Sequence, residues 1–267
     1  MMINYAIDGI RDGFASQYLK KIGGFAFCEI SPKHKYVHIP FVAMDHVDNK
    51  TIAKLNKFIG IPNTSAGKDI HMVAKWHREV FEKPDKFYTS RTMDKIRAYY
   101  WSSKKPPECE QEIVVHIRRG DLGKTKKGMW SIHPKRITPN QYYHEYIPNI
   151  LKKHLQQKIK IHTSVFEDNN TYNVTGEDLL HCHKDYESIF NNWPHEFLER
   201  TTLSINEDIM KTFHDMVTCK KLFMARSSMS YAAAIISTNE IFFQNGVANS
   251  QTSTPLKFWK NWKFYEE

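Results

Sequence analysis

The sequence predicts an α/β protein built on mainly parallel sheets. Three observations carry that expectation. Short β-branched runs alternate with stretches of helical periodicity, with little sign of hairpin turns between strands. The run Ile113-Val-Val-His-Ile117 is apolar at consecutive positions, as a strand covered on both faces must be. Leu222-Phe-Met-Ala225 is followed by serines and a small-residue run ending at Ile236, which reads as strand, turn and close-packing helix.

In chain order, residues 3–8 form a short strand, Asp8-Gly-Ile-Arg-Asp-Gly13 the loop beyond it, and Phe14–Phe27 a helix with Tyr18, Ile22 and Phe25 on one face. Val37-His-Ile-Pro-Phe41 is the next expected strand. From Val42 to Tyr100 the pattern is mostly helical and polar, with Trp76, Phe81, Phe87 and Trp101 as packing residues. Ser102-Ser-Lys-Lys-Pro-Pro-Glu108 has prolines, charges and no apolar period, so a domain boundary falls there. This divides the chain into domains 1–107 and 108–250, with a tail 251–267 whose aromatics pack back across the domains. Thr138-Pro-Asn-Gln141 starts a helix that Pro148 interrupts. Lys158–Ser164 alternates as a strand and ends in two hydroxyls, and Glu177–Trp193 reads as a surface helix. Ser204-Ile-Asn-Glu207 reads as a capping box opening a helix with Ile209, Phe213 and Met216/Val217 inward. Glu240-Ile-Phe-Phe243 is the last expected strand.

A chain of 267 residues with 41% apolar and 25% charged residues is ordinary for a globular protein with one large or two small cores. No stretch is long and apolar enough to span a bilayer, and the first residues lack the basic start of a signal peptide, so a cytoplasmic location is expected. The four cysteines are scattered and form no Cys-x-x-Cys pair, which argues against a disulfide framework and a zinc ribbon. His181-Cys182-His183 lacks the spacing of helical metal ligands, and no metal is expected. The net charge of +9 favours anionic or phosphorylated partners. A basic nucleic-acid-binding protein is the alternative from another class, but no recognised nucleic-acid module is present and no such partner is expected.

The chemistry concentrates where the central strand ends. After Val115 the sequence switches to His116, Arg118, Arg119, Gly120 and Asp121. In open α/β sheets ligands bind outside the carboxyl ends of the strands, and guanidinium groups there grip phosphate oxygens through paired hydrogen bonds. His116 and Arg118 share a face by the strand period; Arg119 points to the other and is either a second donor or structural. Further on, Arg226-Ser-Ser-Met-Ser230 precedes a helix. A helix start exposes unpaired N–H groups and a positive dipole end, so Ser227, Ser228 and Ser230 are candidate phosphate contacts as well as plain caps. The loop Leu122–Ile137 places Trp130 and Arg136 among lysines, a combination suited to a sugar acceptor.

His116-Ile-Arg118-Arg-Gly120-Asp121 resembles the His-x-Arg-x-Gly-Asp signature of the fucosyltransferase superfamily, nearest to the α-1,2-fucosyltransferases. Cys219–Ile236 is similar to that family's later strand–turn–helix segment, and the likeness runs from about Ile113 to Phe243. The resemblance implies a GT-B arrangement of two Rossmann-like domains facing a cleft. It implies an inverting, metal-independent transfer of fucose from GDP-fucose to a glycan, with a different nucleotide-sugar as the first alternative. Arg118 becomes the pyrophosphate clamp, and Thr163 and Ser164 lie near the nucleotide. Asp121 orients Arg118, binds the nucleotide or acts as a base. The first loop of the family faces the cleft, which makes Asp8, Arg11 and Asp12 acceptor-side candidates. The family's Gly-x-Gly-Asn pattern is replaced there by Arg11 and Asp12.

Overall fold

The computed structural model describes residues 2–7, 12–45, 47–64, 70–72, 79–80, 82–118, 138–154, 156–164, 172–175, 189–190, 192–244 and 262–265. The chain divides into two compact units between Pro106 and Pro107, the second including the strand near the carboxyl terminus. Both units carry parallel sheets, as the strand–helix alternation predicts.

In the first unit, β1 (Ile3–Ala6) lies between β2 (His34–Tyr36) and β3 (Ile70–Met72), parallel to both. Helix α1 (Phe14–Glu29) makes the crossover from β1 to β2 and buries Tyr18, Ile22 and Phe25. The expected strand Val37–Phe41 is not one. Val37 N–H still donates to Tyr5 O at 2.7 Å, but Pro40 has no N–H to offer a ladder. The Asn56 side chain brackets Phe41 instead, accepting from its N–H at 2.7 Å and donating to its carbonyl at 2.9 Å. Asn56 belongs to α2 (Asn49–Phe58), and α3 (Ser90–Trp101) follows. Phe87 is buried, whereas Trp101 is 47% exposed and is not the core residue expected from its aromaticity. Trp76 and Phe81 lie outside the described residues.

The second unit holds a seven-stranded sheet of order β10-β9-β8-β4-β5-β7-β6. Its strands are β4 (Ile113–His116), β5 (Ile159–Thr163), β6 (Tyr172–Thr175), β7 (Thr201–Ile205), β8 (Lys221–Phe223), β9 (Glu240–Gln244) and β10 (Trp262–Tyr265). Among the described strands of this sheet only the edge strand β6 is antiparallel. With β6 set aside, the order is the doubly wound 3-2-1-4-5-6, in which the chain starts at the centre and winds outward both ways. β10 was not anticipated: the described part of the tail is a strand parallel to β9.

Side-chain alternation gives the sheet two different faces. Ile113, Val115 and Ile117 join Ile161, Leu203 and Phe223 in an apolar core with Tyr142, Tyr143, Ile147 and Phe190. The opposite face carries His116, Lys160, His162 and Ser204 under helices α5 (Ile209–Thr218) and α6 (Ser228–Ile236). The helix expected to start at Thr138 runs through a π turn, Tyr142–Tyr146, before α4 (Ile147–Leu151). Pro148 has no N–H for the carbonyl four residues back, and the Ile147 N–H reaches Tyr142 O in the wider π register. Ser204–Glu207 is not a capping box: Ser204 lies in β7, and Asp208 caps α5 through the N–H groups of Met210 and Lys211. The expected helix Glu177–Trp193 lies almost wholly outside the described residues.

Phe223, fully buried, stacks on Phe242 with centroids 4.4 Å apart. Phe223→Ala is expected to cost about 3–5 kcal/mol, the range for truncating a buried aromatic, read from the denaturant midpoint.

Candidate active site

Two chain segments leave the sheet side by side where its winding direction reverses. β4 pairs with β5 on one side and β8 on the other, so the connections from β4 and β8 lead to opposite halves of the sheet, the arrangement that places a ligand crevice at this end in open α/β sheets. The chain beyond β4 brings His116 and Arg118, and the chain beyond β8 brings Arg226, Ser227 and the start of α6. Ile117 N–H still donates to His162 O at 2.9 Å, so Arg118 is the first residue past the ladder, half-buried at its end.

The two segments are joined by side chains. His116 Nδ1 is hydrogen-bonded to Ser230 Oγ on α6, and Ser230 Oγ accepts from Ala225 N–H at 3.2 Å. Tyr143 Oη donates to His116 O at 3.1 Å from the other face. Ser227 caps α6, accepting from Met229 N–H at 3.2 Å. These contacts sort the three serine candidates. Ser230 is fully buried and engaged by His116 and Ala225, so it is removed from the candidate phosphate contacts. Ser227 is the cap, and Ser228, half-buried, is the serine at the first turn with access to solvent.

Arg226 was not among the sequence candidates. It stands just beyond β8 as Arg118 stands just beyond β4, is 5% exposed, and has its backbone N–H fixed by Thr138 Oγ1 at 2.8 Å. The available signal was an arginine between a buried strand and a serine cap. Thr163 and Ser164 end the adjacent strand: Thr163 is buried, its carbonyl accepting from Asn206 N–H at 3.0 Å, and Ser164 is exposed. Arg119, Asp121, Trp130 and Arg136 fall outside the described residues, as do Asp8 and Arg11. Asp12 is described and is committed to the start of α1. Its carboxylate accepts from Ser16 Oγ, from Gly13 N–H at 2.8 Å and from Lys20 Nζ at 3.2 Å. That gives Asp12 an anchoring role in place of the acceptor role expected of it. Burial works against its charge, but these donors keep its carboxyl below the usual value.

The same sheet face holds a buried ionic network. Lys160 Nζ lies 2.9 Å from both Glu207 Oε2 and Asp215 Oδ2. His162 Nε2 is 3.1 Å from Asp215 Oδ2, Lys211 pairs with the other Asp215 oxygen, and Ser204 Oγ donates to Glu207 at 2.8 Å. Burial raises the Asp215 carboxyl, but bonds from His162, Lys211 and Lys160 outweigh it and hold the group well below the carboxylate range. Burial lowers the His162 imidazole, which is therefore neutral. Two ammonium groups thus balance two carboxylates. His162, Glu207 and Asp215 have a metal-ligand composition. The Lys160 ammonium touches both carboxylates, however, and supplies the positive charge that an ion would bring. Among the described residues no helix is long and apolar enough to cross a membrane.

No protein-family model and no curated protein sequence matches the chain. Among solved structures, the chain is similar to E. coli heptosyltransferase WaaC with ADP, with a TM-score of 0.47 and 9% identity over 99% of this chain and 93% of that one. It is also similar to E. coli ADP-heptose lps heptosyltransferase II, with a TM-score of 0.45 and 10% identity over 99% and 90% of the two chains.

Removing one member of the network strands a buried charge, so Lys160→Met is expected to lose about 3–5 kcal/mol in denaturant unfolding. The Asp215 carboxyl is depressed in the folded state. Its contribution to stability is therefore full above the unfolded value near pH ~3.9 and lost as pH falls below it. Asp215→Asn should lower stability at neutral pH and flatten its acid dependence below about pH 4, in thermal melts across pH.

Proposed function

We propose that this chain is a GT-B glycosyltransferase that moves a sugar from a nucleoside diphosphate to a glycan hydroxyl, with GDP-fucose as the donor. One observation carries the reading: Arg118 beyond β4 and the Ser227-capped start of α6 beyond β8 flank the switch point of a doubly wound sheet. An anionic ligand seated there meets a guanidinium, backbone N–H groups and the positive end of a helix dipole. GDP-fucose is preferred because His116-x-Arg118-x-Gly120-Asp121 has the fucosyltransferase signature.

In the reaction an acceptor hydroxyl oxygen bonds the anomeric carbon as the carbon–oxygen bond to the diphosphate breaks, and the hydroxyl proton passes to solvent or to the released diphosphate. The electron pair leaves with the diphosphate, whose negative charge grows. Cations and amide donors fixed on that oxygen bind the transition state more tightly than the ground state, and this difference accelerates the step. Arg118 is the clamp and Ser228 with the first N–H groups of α6 the second contact. Arg226, buried just beyond β8, adds a positive charge to the same end of the sheet. Metal independence is part of the proposal. The chain has no Asp-x-Asp pair to hold a bridging divalent ion, and Lys160 neutralises the Glu207–Asp215 pair.

A thermal-shift panel of GDP, ADP, UDP and their sugars tests donor choice, since a ligand that binds only the folded state raises the melting temperature. GDP and GDP-fucose should stabilise the protein, unaffected by chelator; stabilisation by ADP or UDP alone would overturn the donor. Arg118→Ala should retain the fold and lower kcat about 100- to 1,000-fold, the cost of losing one donor to a developing oxyanion.

A further inference from the structure

Helix α2 has an outer face that neither its own stability nor the packing of the first unit explains. Its inner face buries Ile52, Leu55 and Phe58, and its outer face exposes Lys50, Ala53, Lys54 and Lys57. The helix carries no acidic residue; the acid before it, Asp48, is its cap and accepts from Thr51 N–H at 2.6 Å. A cation in the last turn suits the helix dipole, which accounts for Lys57. Lys50 stands in the first turn, where the dipole opposes a cation, and Lys54 in the middle, where the dipole gives it nothing. Like charges four and three residues apart also repel one another. Lysines kept on one face against that repulsion point to an anionic partner.

Exposed apolar side chains flank the same face. Of the four large hydrophobic side chains exposed among the described residues, two are here, Val42 at 70% and Trp101 at 47%. Val42 follows Phe41, whose backbone the Asn56 side chain of α2 holds at both N–H and carbonyl. Trp101 ends α3, and the ends of α2 and α3 are fastened together. Ser103 Oγ donates to Phe58 O at 2.9 Å, and Ser102 Oγ donates to Gly60 O at 3.3 Å. Glycine permits this approach, since a Cβ at position 60 would lie 1.8 Å from Tyr99 O. Lys104, exposed, lies between Ser103 and Lys105, which both bond Phe58 O. We propose that this face of α2, with Val42 and Trp101 at its borders, docks on an anionic lipid bilayer. The lysines meet charged head groups while an aliphatic side chain and an indole enter the boundary with the acyl chains. A nucleic acid would use the lysines and the indole but would leave Val42 without a role. Contact is peripheral: α2 has ten residues and its apolar side is committed to the core, so it does not span the bilayer. Docking needs no nucleotide sugar and stands apart from the glycosyltransferase reading.

Cosedimentation of the whole chain with vesicles tests this, using phosphatidylcholine alone and an equimolar mixture with phosphatidylserine. The protein should pellet with the mixture and stay in solution with phosphatidylcholine alone. Lys50→Gln, Lys54→Gln and Lys57→Gln together should weaken partition about a hundredfold, about fivefold for each lysine, with the melting temperature unchanged. Lys152→Gln, Lys153→Gln and Lys158→Gln, exposed in the second unit, remove the same charge and should weaken partition by less than about threefold. Brominated phosphatidylcholine in the mixture should quench the tryptophan fluorescence of the unmodified protein, and Trp101→Phe should abolish most of that quenching. Equal partition onto both kinds of vesicle, equal losses in the two triple variants, or quenching that survives Trp101→Phe would overturn the proposal. So would retention on heparin or duplex DNA, lost in the α2 variant, by a protein that no vesicle binds; that result would assign the face to a polyanion.

Discussion

The second unit depends on one constraint: β4 lies between two parallel neighbours that are reached by crossovers running in opposite directions. A strand so placed is covered on both faces, which is why Ile113, Val114 and Val115 are all apolar and fully buried. It also ends at the switch point of the sheet, where open α/β sheets place their ligand crevice.

The two faces of the sheet handle polarity differently. One is closed by tyrosines, Phe190 and Trp193 into an apolar core. The other buries a histidine from each of two paired strands, His116 opposite His162, and gives each a specific partner. His162 is enclosed with Asp215 and the Lys160 ammonium, a charge-balanced arrangement that stabilises the layer only while complete. His116 meets a neutral hydroxyl at the carboxyl end of β4. The sites differ in kind for a physical reason. The fully buried Asp215 carboxylate beside His162 requires charge compensation, which Lys160 and Lys211 supply, while His116 needs only a hydrogen-bonding partner.

The parallel α/β class, the long helix α1, the strands around Ile113, Ile161 and Leu222 and the serine-capped helix were legible in the sequence. Each is announced by local pattern: a run, a period or a cap. What was not legible depends on what lies beside a segment. Val37–Phe41 has strand composition, yet Pro40 and the Asn56 side chain withdraw its backbone from the sheet. Ser204 and Glu207 have capping-box spacing, yet Ser204 is already in a strand and the pair hydrogen-bonds within the Lys160 network. The His116–Ser230 contact joins residues 114 positions apart and exists only because β4 and β8 are neighbours, which no local pattern encodes. Arg226 was passed over for the same reason: its importance comes from standing beside the end of β4.

The central claim is that a nucleoside diphosphate is held where β4 and β8 end. Hydrogen exchange of the backbone amides with and without saturating GDP tests it most directly. Slowed exchange confined to the peptides carrying Ile117–Arg118 and Arg226–Ser230 is the predicted result. Slowing elsewhere, with those amides unchanged, would contradict it.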